Sequence, residues 1–333
     1  MIGFSILYLR RFFSEEEREN VESVWTFVLL LFVWGWCGMS CSSDADDGGV
    51  DITIPIDDDA DCCSLEEEEL TIRYVQELKE LTPLSKVTTG IYTIRVYAGA
   101  EKLSVGYNEL YFTVEKTATG RHVKDVAFSN LVPLMDMGKM QHSTPVGHFE
   151  AVASWIPVYR TWVSFLMPTD EAGGHSWSAA FDYRIKEERG QTSRQTIVVE
   201  PLNEGEEWVK SFKVGEETYY LSLVNPRQLG VGVNTVRAYL SKKPQEGMPP
   251  PFPVAQENFI VDITPTMPDM GNHTSPGNEA LQLSAKGYHE GKLNLTMSGR
   301  WDIHLTVRDS EGHLLAGSET VGGSGDLYWS III

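Results

Sequence analysis

Ile91–Ala98, IYTIRVYA, is a run of β-branched and aromatic residues of strand type. Outward from it the same kind of run recurs. Leu110–Val114, Val123–Phe128, Phe149–Ala153, Thr161–Met167, Trp177–Tyr183 and Thr196–Val199 follow in order. After the polar, glycine-containing stretch Asn203–Glu207 the series restarts with Thr218–Val224, Val233–Leu240 and Phe259–Ile263, then Leu281–Ala285, Leu293–Met297 and Trp301–Val307. No long segment keeps the 3.6-residue period of a helix. Many short strands parted by Gly and Pro turns predict an all-β protein of antiparallel sandwiches.

The two series are copies. VGYN at Val105–Asn108 matches VGVN at Val231–Asn234, Met137–Gly138 matches Met270–Gly271, Met167 matches Met297, and Trp177 matches Trp301. The offsets drift by a few residues, as loop insertions in a duplication leave them. This divides the chain into residues 1–41, an acidic stretch 42–85, a first sandwich 86–204 and a second 205–333.

The methionines are concentrated. Eight lie from Cys41 onward, and five of them fall in LMDMGKMQHSTP (Leu134–Pro145) and its shorter counterpart MPDMGNHTSP (Met267–Pro276). These are Met135, Met137, Met140, Met267 and Met270. Met167 and Met297 close the strand runs that follow, and only Met248 stands apart. Thioether sulfur is a soft ligand that selects Cu(I), and imidazole binds copper in either oxidation state. In extended chain Met135 and Met137 face the same way. His142 and His273 follow within a few residues, and Gly138 and Gly271 let the backbone turn. Met135, Met137, Met140, His142 and Met167 are thus the candidate ligands of one half, and Met267, Met270, His273 and Met297 those of the other. The competing reading is packing: methionine fills irregular core gaps, and a duplication inherits one packing solution twice.

The N-terminal part points to the cell envelope. Trp25–Met39 is almost wholly apolar and too short for a spanning helix, as the core of a signal peptide is. It ends at Gly38-Met39-Ser40-Cys41, which resembles a bacterial lipoprotein cleavage site with Cys41 as the lipidated residue. The acidic SSDADDGG after it resembles the surface-export signal of Bacteroidetes lipoproteins. These resemblances imply an outer-membrane lipoprotein, periplasmic or surface-exposed, held by its lipid. Ser42–Ser85 is acidic and poor in aromatics, which reads as a solvated tether. Cys37, Cys41, Cys62 and Cys63 are the only cysteines, so no disulfide framework is expected in the sandwiches. A formal charge of −20 argues against nucleic acid as a partner.

The order of motifs resembles the YtkA/FixH-like family of bacterial envelope domains: an apolar strand, L-x-VG-x-N, M-x-MG-x-M-x-H, then an apolar strand ending in Met and a G-x-W. The resemblance covers both halves. It implies immunoglobulin-like or cupredoxin-like sandwiches and an association with copper handling. With it the expected function is a copper chaperone, store or sensor that meets a copper-accepting protein. The alternative is a structural adaptor docking on an outer-membrane transporter, its methionines in the core. No GxSxG, P-loop or HExxH motif is present, and no enzymatic activity is expected.

Overall fold

The computed structural model describes residues 78–153, 156–245 and 251–333. The cysteines, the apolar run Trp25–Met39 and Met248 lie outside the described residues. Within them the chain is all β, and every strand pair is antiparallel. The first half holds β1 (Thr82–Thr89), β2 (Tyr92–Ala98), β3 (Gly106–Lys116), β4 (Val126–Asp136) and β5 (Gln141–His142). It continues with β6 (Glu150–Ala153), β7 (Ile156–Phe165), β8 (Ser176–Ile185), β9 (Glu188–Gln191) and β10 (Gln195–Ile197). The second half holds β11 (Val209–Val214), β12 (Glu217–Leu223), β13 (Gly232–Lys242), β14 (Ile260–Met267) and β15 (His273–Thr274). Its last five are β16 (Glu279–Leu283), β17 (His289–Leu295), β18 (Arg300–Arg308), β19 (Leu314–Ala316) and β20 (Leu327–Ile332).

In the first half the strands form two small sheets, β1-β2-β3-β7-β6 and β10-β8-β4-β5, with β9 on β8. Their apolar faces meet in one core, where the Phe112 ring touches Phe128, Phe149 and Phe181 at 5.4, 5.0 and 5.1 Å. The second half repeats each of these pairings ten strands later. It adds one: β14 bonds β16 at Val261 and Leu281. That contact joins the two sheets along β11-β12-β13-β17-β16-β14-β18-β19, and β11 comes back against β19 and β20, so the sheet is nearly a closed barrel. A second core, with Trp208, Trp301 and Trp329 fully buried, fills it. Truncating any of these indoles to Ala removes about 3–5 kcal/mol.

The paired asparagines show the duplication at atomic level. Asn108 donates to the carbonyls of Ser104 and Gly106 at 2.7 and 2.8 Å and accepts from the Ser104 N–H. Asn234 does the same with Gly230 and Gly232, at 2.7 and 2.9 Å. Each side chain closes the loop that enters β3 or β13. The glycine two residues earlier has φ of +89° or +109°, a conformation that strains a residue bearing Cβ.

A bulge sets which residues of β4 face the core. Ser129 pairs with Asp182 and Val132 with Ala180, so two residues oppose one, and Asn130 sits there at φ +50°. The extra residue changes the alternation. Val126 and Phe128 point inward before it, Leu131, Pro133 and Met135 after it. Without the bulge Met135 faces solvent.

The halves also meet. Phe252 donates to the Thr144 carbonyl at 3.0 Å, its own carbonyl accepts from Val146, and the Ser222 hydroxyl bonds Ser164 at 2.7 Å in a buried seam.

Candidate metal centre

The motif Leu134–Pro145 forms the end of β4, a tight turn, β5 and the three residues after it. Met135 pairs with His142 and Asp136 with Gln141. The Met137 N–H then bonds the Met140 carbonyl at 3.0 Å, leaving Gly138 (φ +74°) and Lys139 as the turn. Residues opposite one another in a ladder share a face, as do residues two apart. Met135, Met137, Met140 and His142 therefore lie on one face of the hairpin. Asp136 and Gln141 lie on the other, where Asp136 accepts from the Gly138 N–H at 2.8 Å. Alternation sorts three thioethers and an imidazole to one side and the carboxylate to the other.

Along that face exposure is graded. Met135 is fully buried, Met137 and His142 are half-buried, and Met140 at the tip is 64% exposed. The His142 ring stands edge-on to Trp177, 5.4 Å away at 90°, and Trp177 pairs with Met135 from the other neighbouring strand. His142 Nδ1 lies 2.9 Å from the Ser143 carbonyl, which makes Nδ1 the protonated nitrogen of the neutral ring and leaves Nε2 as the lone-pair donor.

The second hairpin keeps part of this. Met267 pairs with His273, and His273 lies 6.4 Å from the Trp301 ring. Its turn is longer, a 3-10 turn Pro268–Met270 followed by Gly271 and Asn272, both at positive φ. Met270 thus leaves the ladder and is 56% exposed, while Met267 is buried. Gly299 is favoured here by its φ of +130°, and a Cβ on it would also displace the Met267 methyl, 2.8 Å away.

Met167 and Met297 stand differently. Their thioethers are half-buried against the two cores, as that of Met137 is against the first, but their carbonyls accept the indole N–H of Trp177 and Trp301, each at 2.9 Å. What recurs at these positions is a backbone bond to tryptophan.

Sequence reasoning missed two features. The Ser-Thr-Pro tail of the first motif is structural: Ser143 bonds the Pro133 carbonyl at 2.6 Å, and Thr144 with Pro145 enters the seam between halves. A polar trio is also present, Thr266 Oγ1 at 3.0 Å from His304 Nε2 and His304 Nδ1 at 2.9 Å from Asp326. Such an order of groups serves nucleophilic hydrolysis elsewhere. Thr266 is only 1% exposed, so no substrate reaches its hydroxyl, and the trio ties β14, β18 and the turn before β20 together.

Among the described residues no three His, Cys, Asp or Glu side chains gather where they could hold a metal ion. The donors that share the hairpin face, thioethers and an imidazole, are of the soft type. No protein-family model and no curated protein matches the chain.

Proposed function

We propose that the protein is an envelope lipoprotein of two tandem YtkA-like domains, the first a sandwich of the immunoglobulin-like or cupredoxin-like kind and the second closed by the β14–β16 contact into a barrel-like form of it, that binds copper as Cu(I) and serves as a chaperone, store or sensor. The observation that carries this is the hairpin face of Met137, Met140 and His142, two thioethers and one imidazole without a carboxylate. Thioether and imidazole donors suit Cu(I) and offer little to Ca²⁺ or Mg²⁺. The exposed Met140 is where a copper-accepting protein reaches the ion. The lipid anchor at Cys41 and the outer-membrane location belong to the same proposal and rest on the signal-like N-terminus.

A second reading has its own support. Met135 and Met267, the methionines opposite the two histidines, are buried among apolar side chains. That favours an adaptor docking on an outer-membrane transporter, its methionines serving as packing.

Cu(I) competition separates the two. A chain starting at Ser64 omits the cysteine thiols, which bind Cu(I) themselves, and keeps every described strand. It should take Cu(I) from a competing chelator, and His142→Ala or the pair Met137→Leu, Met140→Leu should weaken it by about tenfold or more. Failure of the unaltered chain to compete leaves the adaptor reading.

A further inference from the structure

The seam between the halves opens into a cleft of about 400 Å³, the size of a small-ligand pocket. Both halves build it. Tyr107, Glu109, Arg160 and Trp162 come from β3 and β7; Arg237, Tyr239 and Tyr288 come from β13 and the turn before β17.

Its aromatic wall is preformed. Trp162 and Tyr239 stack at 4.3 Å and 25°, Tyr107 lies parallel to Tyr239 at 6.0 Å, and Tyr288 meets Tyr239 edge-on at 5.9 Å. Rings that hold one another in place lose little freedom when something is laid against them. The three tyrosines are half-buried and keep part of their surface toward the cleft. Burial and then Glu109 push the Tyr107 phenol up, so its hydroxyl stays protonated and donates to Glu109 at 3.0 Å.

The charged groups are paired before any ligand arrives. Glu109 also accepts from Tyr111 at 2.8 Å, Arg160 bonds Glu150 through Nε at 3.0 Å, and Arg237 bonds Glu290 at 2.6 Å. Both signs thus line the cleft in near balance, with Lys286 and His148 at its edge. An anion meets Glu109 and Glu150, and a cation meets Arg160, Arg237 and Lys286. An acyl chain leaves all of these polar groups unmatched. The remaining class is neutral, rich in hydroxyls that both donate and accept, with apolar C–H faces to lie on aromatic rings.

We propose that this cleft binds a neutral saccharide of one or two sugar units, or the end of a longer one. The sugar's C–H face lies against Tyr239, with Tyr288, perpendicular to it and backed by the Arg237 guanidinium 5.3 Å from its ring centre, walling its side, and its hydroxyls bridge the Glu150–Arg160 pair. The site shares no residue with the methionine hairpins, so it stands or falls independently of copper.

The test uses the chain from Ser64 and a panel of neutral oligosaccharides (glucans, xylans, galactans, mannans and N-acetylglucosamine oligomers), followed by calorimetry. At least one should bind with a Kd below about 1 mM. Tyr288→Ala and Glu150→Gln, both at half-buried or exposed positions, should each weaken it about tenfold, while His142→Ala leaves it unchanged. No binding by any member of the panel overturns the proposal. So does binding that survives both substitutions, or a preference for a proline-rich peptide over every sugar.

Discussion

The indole N–H of Trp177 donates to the main-chain carbonyl of Met167 at 2.9 Å, and Trp301 makes the same bond to Met297. Both tryptophan rings are fully buried, and each bond is itself part-buried, so water replaces it only in part. Trp177→Phe should destabilise by about 1–3 kcal/mol from the orphaned carbonyl, beyond the loss of packing. Met167→Leu preserves the carbonyl and much of the volume and should cost under about 1.5 kcal/mol. Urea denaturation of the two variants measures the difference. Equal costs argue that the side chain, not the carbonyl, is what position 167 supplies.

The seam between the halves changes what cleavage does. A nick at Asn203–Glu207 cuts a polar connection, but the Thr144–Phe252 ladder, the Ser164–Ser222 bond and the Trp162–Tyr239 stack still cross between the pieces. Glu207 itself pairs with Ser330. The nicked protein should elute as one species on gel filtration and separate only in denaturant. Two freely separating fragments contradict the seam.

His289 gives the fold a pH dependence. It is fully buried in β17, and burial lowers its pKa from the ordinary 6.5, opposed in part by the Phe259 backbone. The folded state keeps this ring neutral while the unfolded chain protonates it near 6.5. Stability is therefore full above that value and falls as pH drops through it toward the folded pKa. His122, half-buried and also lowered chiefly by burial, acts in the same direction. Melting temperature should fall between about pH 7.5 and pH 5.5, and the fall should shrink in His289→Leu. An unchanged slope in that variant removes His289 as the cause.

The strands were largely legible. Thr218–Val224 and Trp301–Val307 lie close to β12 and β18, because a sheet face buried on one side leaves a period of two in the sequence. β1 was not: its exposed edge position asks little of TPLSKVTT, and it begins at Thr82, ahead of the apolar alternation. Nor was the bulge at Asn130, whose one extra residue turns Met135 inward, since the sequence carries no fixed mark of register. The Met/His motif was legible as a unit, and in the hairpin Met135 and Met137 are two apart on one arm. The indole bonds to the Met167 and Met297 carbonyls were invisible, because a backbone group belongs to every residue. The cleft was invisible too. Tyr107 and Tyr239 are 132 positions apart, and only the seam brings them together.

Copper binding at the first hairpin is the central claim, and the methionine methyl groups report on it directly. In the chain from Ser64 carrying ¹³C-methyl methionine, each of the eight methyls gives an NMR signal assignable by Met→Leu substitution. On adding one equivalent of Cu(I) under reducing conditions, the Met137 and Met140 signals should move together, along with the His142 ring. Met167 and Met297 should stay where they are. Unmoved signals at Met137 and Met140, or shifts confined to other methionines, would contradict the account.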